Sequence, residues 1–203
     1  CNLTNATFTP QELVKNYPRG SKELLSHFHR FMCVDTMEWF EAHGVSLKTE
    51  PDGRVFPASN SSESDVNCFL NEIKKHLIEL FTQQNVQALS PTPEGWEITT
   101  PNSTYKAHNV VIATGSNPKI WQLLANLGHT IISPVPSLFT FNTSTQWAKE
   151  LSGIAVNASV HLLSQDGKSL KIAETAPMLF THNGFSGPAV LRASAWGARV
   201  LAE

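Results

Sequence analysis

Cysteine is scarce: three residues among 203, Cys1, Cys33 and Cys68, odd in number and without C-x-x-C spacing. That excludes a disulfide framework and a zinc module, and it points to a reducing compartment, so a cytoplasmic location is expected. No apolar run approaches the roughly 20 residues of a membrane span, so no membrane partner is expected. Basic clusters are missing as well, the net charge being −2 and the densest positive stretch a mere Lys74-Lys75 pair. Without an electrostatic footprint, nucleic acid is not an expected partner either. The eight histidines offer no H-x-x-x-H or H-E-x-x-H spacing, and His27 and His29, two apart on a helix, face different ways. No metal site is expected. The six Asn-x-Ser/Thr sequons are what an Asn- and Ser/Thr-rich chain produces by chance. Also lacking is a first strand with a G-x-G-x-x-G turn, the usual cradle of a dinucleotide pyrophosphate.

What is present is ordinary globular material, 41% hydrophobic and 16% charged, and long enough for one large domain or two small ones. Thr9 and Pro10 open a helix to Tyr17 as N-cap and first helical residue. A second helical stripe follows in Leu24, Phe28 and Phe31, and a third helix over 35–43 closes on Gly44. "VSLKTEPDGRVFPAS" turns at Pro51-Asp52-Gly53 as a hairpin. The clearest helix runs from Ser64 to His76, with Val66, Phe69, Leu70, Ile73 and Leu77 on one face. Strands are expected near 77–81, 86–89, 96–100 and 104–106, with Pro91–Gly95 as a turn. A fifth, buried strand is expected at Asn109–Thr114, and a helix from Pro118 to Leu127 ends at Gly128. Beyond His129 the rhythm changes. Residues 154–162 alternate, Asp166-Gly167 turns, and "SLKIAET" and "PMLFTH" continue an antiparallel meander, part of a barrel, before a helix from about Ser186.

Four stretches carry chemistry. "VVIATG" is a short apolar run ending in Gly, and such strand ends are where ligands collect in α/β sheets. "CNLTN" (Cys1 to Asn5) concentrates amide and hydroxyl donors able to wrap a phosphate or flavin edge; the plainer reading is a cap and turn before the Pro10 helix. In "DGRVFPAS", Arg54 beside Phe56-Pro57 is able to pin an anionic ligand, or is simply an exposed hairpin arginine. In "LFTHNGFSGPAVL", Ser186 precedes a helix start, whose free N–H groups favour an anion, and His182 lies four residues ahead. A nucleophile elbow is excluded there, because Pro188 stands where the second Gly of G-x-S-x-G belongs.

Together these stretches resemble one family, the BaiN/YhiN-type flavoproteins, which include aminoacetone oxidases. The resemblance rests on Cys1-Asn2-Leu3-Thr4-Asn5, Gly53-Arg54-Val55-Phe56-Pro57-Ala58-Ser59, Ala113-Thr114-Gly115, Leu127-Gly128-His129, Pro134-Val135-Pro136-Ser137-Leu138 and Leu179 through Pro188, in that order. It implies an α+β or α/β fold, with residues 1–132 forming the middle part of a Rossmann-like FAD-binding domain. Residues 133–203 would be part of an inserted antiparallel β-barrel domain with a terminal helix. It implies FAD contacts at Cys1, Asn2, Thr4 and Asn5, at the Val86 backbone near adenine, and at Ala113, Thr114 and Gly115. Arg54, Phe56 and Ser186 would face the substrate cavity, and His182 is the expected proton-transfer residue.

The family's glycine-rich first strand has no counterpart here, the sequence opens on Cys1 rather than Met, and Ser116-Asn117-Pro118 replaces the family's glycine-rich loop. An internal fragment of a longer FAD-dependent oxidoreductase is therefore expected. The parent would pass electrons between a small organic substrate or NAD(P)H and an acceptor. The fragment alone would be inactive, would not hold FAD, and would self-associate through exposed apolar surface. The alternative is a non-enzymatic α/β interaction module that keeps the family scaffold.

Overall fold

The computed structural model describes residues 2–202. They divide into two compact units: the chain up to Val14 with Lys22–Ile132, and Lys15–Ser21 with the chain from Ser133 onward.

The first unit opens with a short strand, β1 (Thr4–Asn5), and a helix, α1 (Pro10–Leu13). Thr9 caps α1 by accepting the Glu12 N–H at 3.2 Å, and Pro10 occupies a first-turn position that has no N–H to lose. Helices α2 (Ser21–Phe28) and α3 (Cys33–Ala42) follow. The Asp35 carboxylate accepts the Met32 N–H at the start of α3, and Gly44 takes a φ of +83° just past its end. Two strands, β2 (Leu47–Thr49) and β3 (Arg54–Pro57), form the expected hairpin, and β1 pairs with the other edge of β3. Val55 at the centre has no accessible surface. Phe40, Val45 and Cys68 form a buried cluster, with Leu3, Trp39 and Leu47 packed against it.

Helix α4 (Glu63–Lys75) forms as its periodicity predicts, but with the unexpected face inward. Asp65 and Cys68 are buried, whereas Val66, Phe69 and Leu70 of the apolar stripe are 54%, 50% and 44% exposed. Three strands follow as a meander: β4 (Ala88–Thr92), β5 (Gly95–Thr99) and β6 (Thr104–Ala107). Pro91 lies within β4 rather than in a turn; β4 is an edge strand, where a missing donor costs no ladder bond.

Two expected strands do not form. Leu77–Phe81 is irregular, with Leu77, Ile78, Leu80 and Phe81 all exposed. The Asn109–Thr114 run is likewise irregular, and Val111 is 88% exposed. A buried strand needs a hydrogen-bonding neighbour on each edge, and no strand among the described residues pairs with either run. The chain recovers regularity in α5 (Pro118–Asn126), where the Asn117 side chain accepts the Lys119 N–H at 3.1 Å.

The second unit holds β7 (Phe141–Asn142), α6 (Gln146–Glu150), β8 (Ala155–Leu163), β9 (Ser169–Thr181), β10 (Gly184–Ser186) and α7 (Pro188–Trp196). The four strands make one antiparallel sheet in the order β7-β10-β9-β8. This sheet is open among the described residues, so the expected barrel is not seen closed. β9 is one continuous strand of 13 residues, not the two short strands the sequence suggests. Ser186 belongs to β10, and α7 begins two residues later, with Gly187 as its N-cap at φ +88°. Ala189, Val190 and Ala193 bury one face of α7. No helix among the described residues is long and apolar enough to cross a membrane.

Gly184 is where β10 passes closest to β7. Its φ is +149°, and an added Cβ would collide with the Phe141 carbonyl and lie 3.0 Å from the Asn142 Cα. Backbone occupies that space and cannot swing away as a side chain would. Gly184→Ala is expected to cost about 3 kcal/mol, lowering the thermal midpoint by roughly 10 °C in calorimetry. An unchanged midpoint would contradict this register.

Candidate functional site

The site residues gather first around β3. Thr4 lies opposite Val55 and Asn5 opposite Arg54. The Leu3 N–H donates to the Val55 carbonyl at 2.8 Å, and the Ala6 N–H to the Gly53 carbonyl at 2.7 Å. The Asn2 amide, oriented so that its nitrogen meets acceptors, donates to the Thr4 carbonyl at 2.9 Å and the Val55 carbonyl at 3.1 Å. Asn5 Oδ1 accepts the Thr7 hydroxyl at 2.6 Å. Much of the polar capacity of "NLTN" is thus spent on holding β1 to β3. The Thr4 hydroxyl is the exception, with no hydrogen-bond partner among the described residues. Cys1 lies outside the described residues.

Arg54 is exposed and already engaged. Its Nε donates to Asp52 Oδ2 at 2.7 Å, and its guanidinium carbon stands 5.4 Å from the Phe56 ring centroid. The Arg54 backbone N–H, and after it the side chain, hold the Asp52 carboxyl below the usual carboxylate range. An anionic ligand would have to compete with Asp52 for this guanidinium.

The other expected contacts lie apart from this group. Val86 is half-buried, just before β4, and the next residue, Gln87, donates its N–H to the Thr99 carbonyl at 2.8 Å. Ala113, Thr114 and Gly115 are exposed, and no strand pairing joins them to β1 among the described residues. Gly115 has a φ of +60°, and a Cβ there would meet nothing within 4 Å. His182 is exposed in the two-residue hairpin loop between β9 and β10, with neither ring nitrogen partnered among the described residues. Ser186 sits two register pairs beyond that loop, opposite Leu179.

Two buried residues escaped the sequence reading. Neither carboxylate oxygen of Asp65 has a hydrogen-bond partner among the described residues, although the residue is 6% exposed. One turn along α4, burial pushes the Cys68 thiol up, with Glu72 and Asp65 adding to the effect. A thiol held in its neutral form is a packing residue rather than a nucleophile. The only signal for this face was the Asp65–Cys68 spacing, which the neighbouring apolar stripe outweighed.

The HI0933-like protein Rossmann domain matches residues 1–191. The chain belongs to this family. It is 25% identical over 211 residues to the 3-dehydro-bile acid delta(4,6)-reductase of Clostridium scindens, covering 100% of this chain and 50% of the relative. It is 26% identical to the ribosomal RNA dihydrouridine synthase of Haemophilus influenzae, over 96% of this chain and 49% of the relative. With the Escherichia coli ribosomal RNA dihydrouridine synthase it shares 23% identity over 97% of this chain and 49% of the relative. The chain therefore spans about half the length of the curated relatives it matches.

The residues present fit part of a flavin nucleotide's surroundings. Small side chains at Ala113–Gly115, with open space over Gly115, leave backbone accessible to a flat ligand, and the Thr4 hydroxyl is an uncommitted donor.

Since the Asp52 pKa is depressed in the folded state, the stability it contributes is fully present above the ordinary carboxylate value. That stability is lost as pH falls through the folded value. Arg54→Gln is expected to move the Asp52 titration upward, toward the ordinary carboxylate range, when followed by carboxyl-carbon NMR. An unmoved Asp52 would show that the Arg54 side chain adds nothing to the backbone N–H in holding this carboxylate.

Proposed function

We propose that this chain is part of an FAD-dependent oxidoreductase. Membership of the HI0933-like Rossmann family over residues 1–191 carries the reading, and a reductase among the relatives supports it. The chemistry FAD supplies there is electron transfer between a small organic substrate or NAD(P)H and an acceptor. Asn2, Thr4 and Asn5 would hold the cofactor from β1. The backbone at Ala113–Gly115 would lie against it, and Val86 would meet the adenine end. Arg54 and Phe56 would orient substrate, with Ser186 adding a hydroxyl, and His182 would hold or release a proton at its free imidazole nitrogens.

In this reading the runs at 77–81 and 109–114 become strands once neighbours from the rest of the protein pair with them. The open sheet of the second unit becomes part of a barrel in the same way. Residues 1–132 would serve the cofactor and 133–203 the insert, in the cytoplasm. The apolar surface at Val66, Phe69, Leu77, Phe81 and Val111 would drive the 203 residues by themselves to self-associate, and they would be inactive.

Two outcomes check this. The 203 residues expressed alone should purify colourless, since they carry no G-x-G-x-x-G phosphate cradle; a flavin band surviving gel filtration would contradict the reading. In the protein as its gene encodes it, flavin should co-purify. Gly115→Asn should lower its occupancy at least about fivefold while the flavin-free protein keeps its thermal midpoint, because Asn tolerates positive φ while its side chain fills the space over Gly115. Full occupancy in that variant would remove Gly115 from the cofactor site.

A further inference from the structure

A cleft of about 500 Å³ opens in the second unit between the Lys15–Arg19 segment and the C-terminal end of α7. Lys15, Arg19 and Arg192 line it, with Glu174 and Trp196. This is a local excess of positive charge in a chain whose net charge is −2. None of the three cations is ion-paired among the described residues, and Glu174 is not paired either. Arg19 reaches the Ala195 carbonyl at 3.5 Å with one nitrogen, which leaves the rest of its fork unused. Leu138, on the rim, is 63% exposed and holds a φ of +55°, a backbone state a branched side chain rarely adopts. A second hollow of about 240 Å³ shares Glu174 and Trp196 with the first and adds Lys171. The concave surface therefore continues past the indole, further than a bare phosphate needs.

We propose that this cleft binds a nucleotide unit, its phosphate held by Lys15, Arg19 and Arg192 and its base stacked on Trp196. Arginine forks match phosphate oxygens bidentately, and an indole face accepts any base. Glu174 supplies the one acceptor the cleft needs for ribose hydroxyls. The shared chemistry is phosphate, ribose and base, and it comes either from a free nucleotide or from a strand end. This assignment is independent of the flavoprotein reading.

The test uses the protein as its gene encodes it, titrated calorimetrically at low salt with AMP, NADPH, a uridine decanucleotide and inorganic phosphate. Saturable binding of at least one nucleotide probe is expected, tighter than that of inorganic phosphate and weakening as salt rises. Arg192→Glu combined with Arg19→Glu should weaken it at least tenfold. Trp196→Ala should weaken it severalfold, while Trp196→Phe keeps most of it. AMP or NADPH saturating the cleft identifies a free nucleotide, and the decanucleotide alone identifies a strand; both support the assignment. Flavin content, measured on every variant, should not change, so that loss of this site is distinguished from loss of the cofactor. No binding by any nucleotide probe, or binding indifferent to the paired arginine change, overturns the proposal.

Discussion

Backbone N–H and C=O groups that leave water must find partners, and this requirement divides the molecule into segments that are regular and segments that are not. β3 meets it on both edges, with β1 on one side and β2 on the other, and its central Val55 is fully buried. The 109–114 run has the same apolar character but no neighbour on either edge among the described residues, and Val111 remains almost fully exposed. Hydrophobicity alone does not make a strand; the ladder does.

The same constraint explains which features were legible in the sequence. Helix starts and hairpins are local, and there the residues were sufficient. Thr9-Pro10 capped α1, Asn117-Pro118 opened α5, and Pro51-Asp52-Gly53 turned β2 into β3. Burial is not local. The stripe Val66, Phe69, Leu70 was correct as a helical period, yet the inward face proved to be Asp65 and Cys68, because what touches a helix depends on distant chain. Two expected short strands merge into the single β9 although Pro177 stands between them, because β8 pairs alongside on both sides of the Asn157–Pro177 position.

The candidate site was legible as motifs but not as geometry. Asn2, Thr4, Asn5 and Arg54 come together because β1 and β3 pair. Spacing could not show that Arg54 spends its charge on Asp52, or that the Asn2 amide spends its donors on backbone carbonyls. Nor could overall charge reveal the cationic cleft beside Trp196, since its contributing residues lie far apart in sequence. The family assignment, in contrast, rests on a match over residues 1–191 and does not depend on which segments have partners.

The proposed function turns on the apolar run at 109–114, which is unpaired among the described residues and would become a strand once a neighbour pairs with it. Amide hydrogen exchange tests it most directly, comparing peptides that cover Val110–Thr114 in the 203 residues alone and in the protein as its gene encodes it. The account expects exchange within seconds in the former and protection at least a thousandfold greater in the latter. Equally fast exchange in both would contradict it.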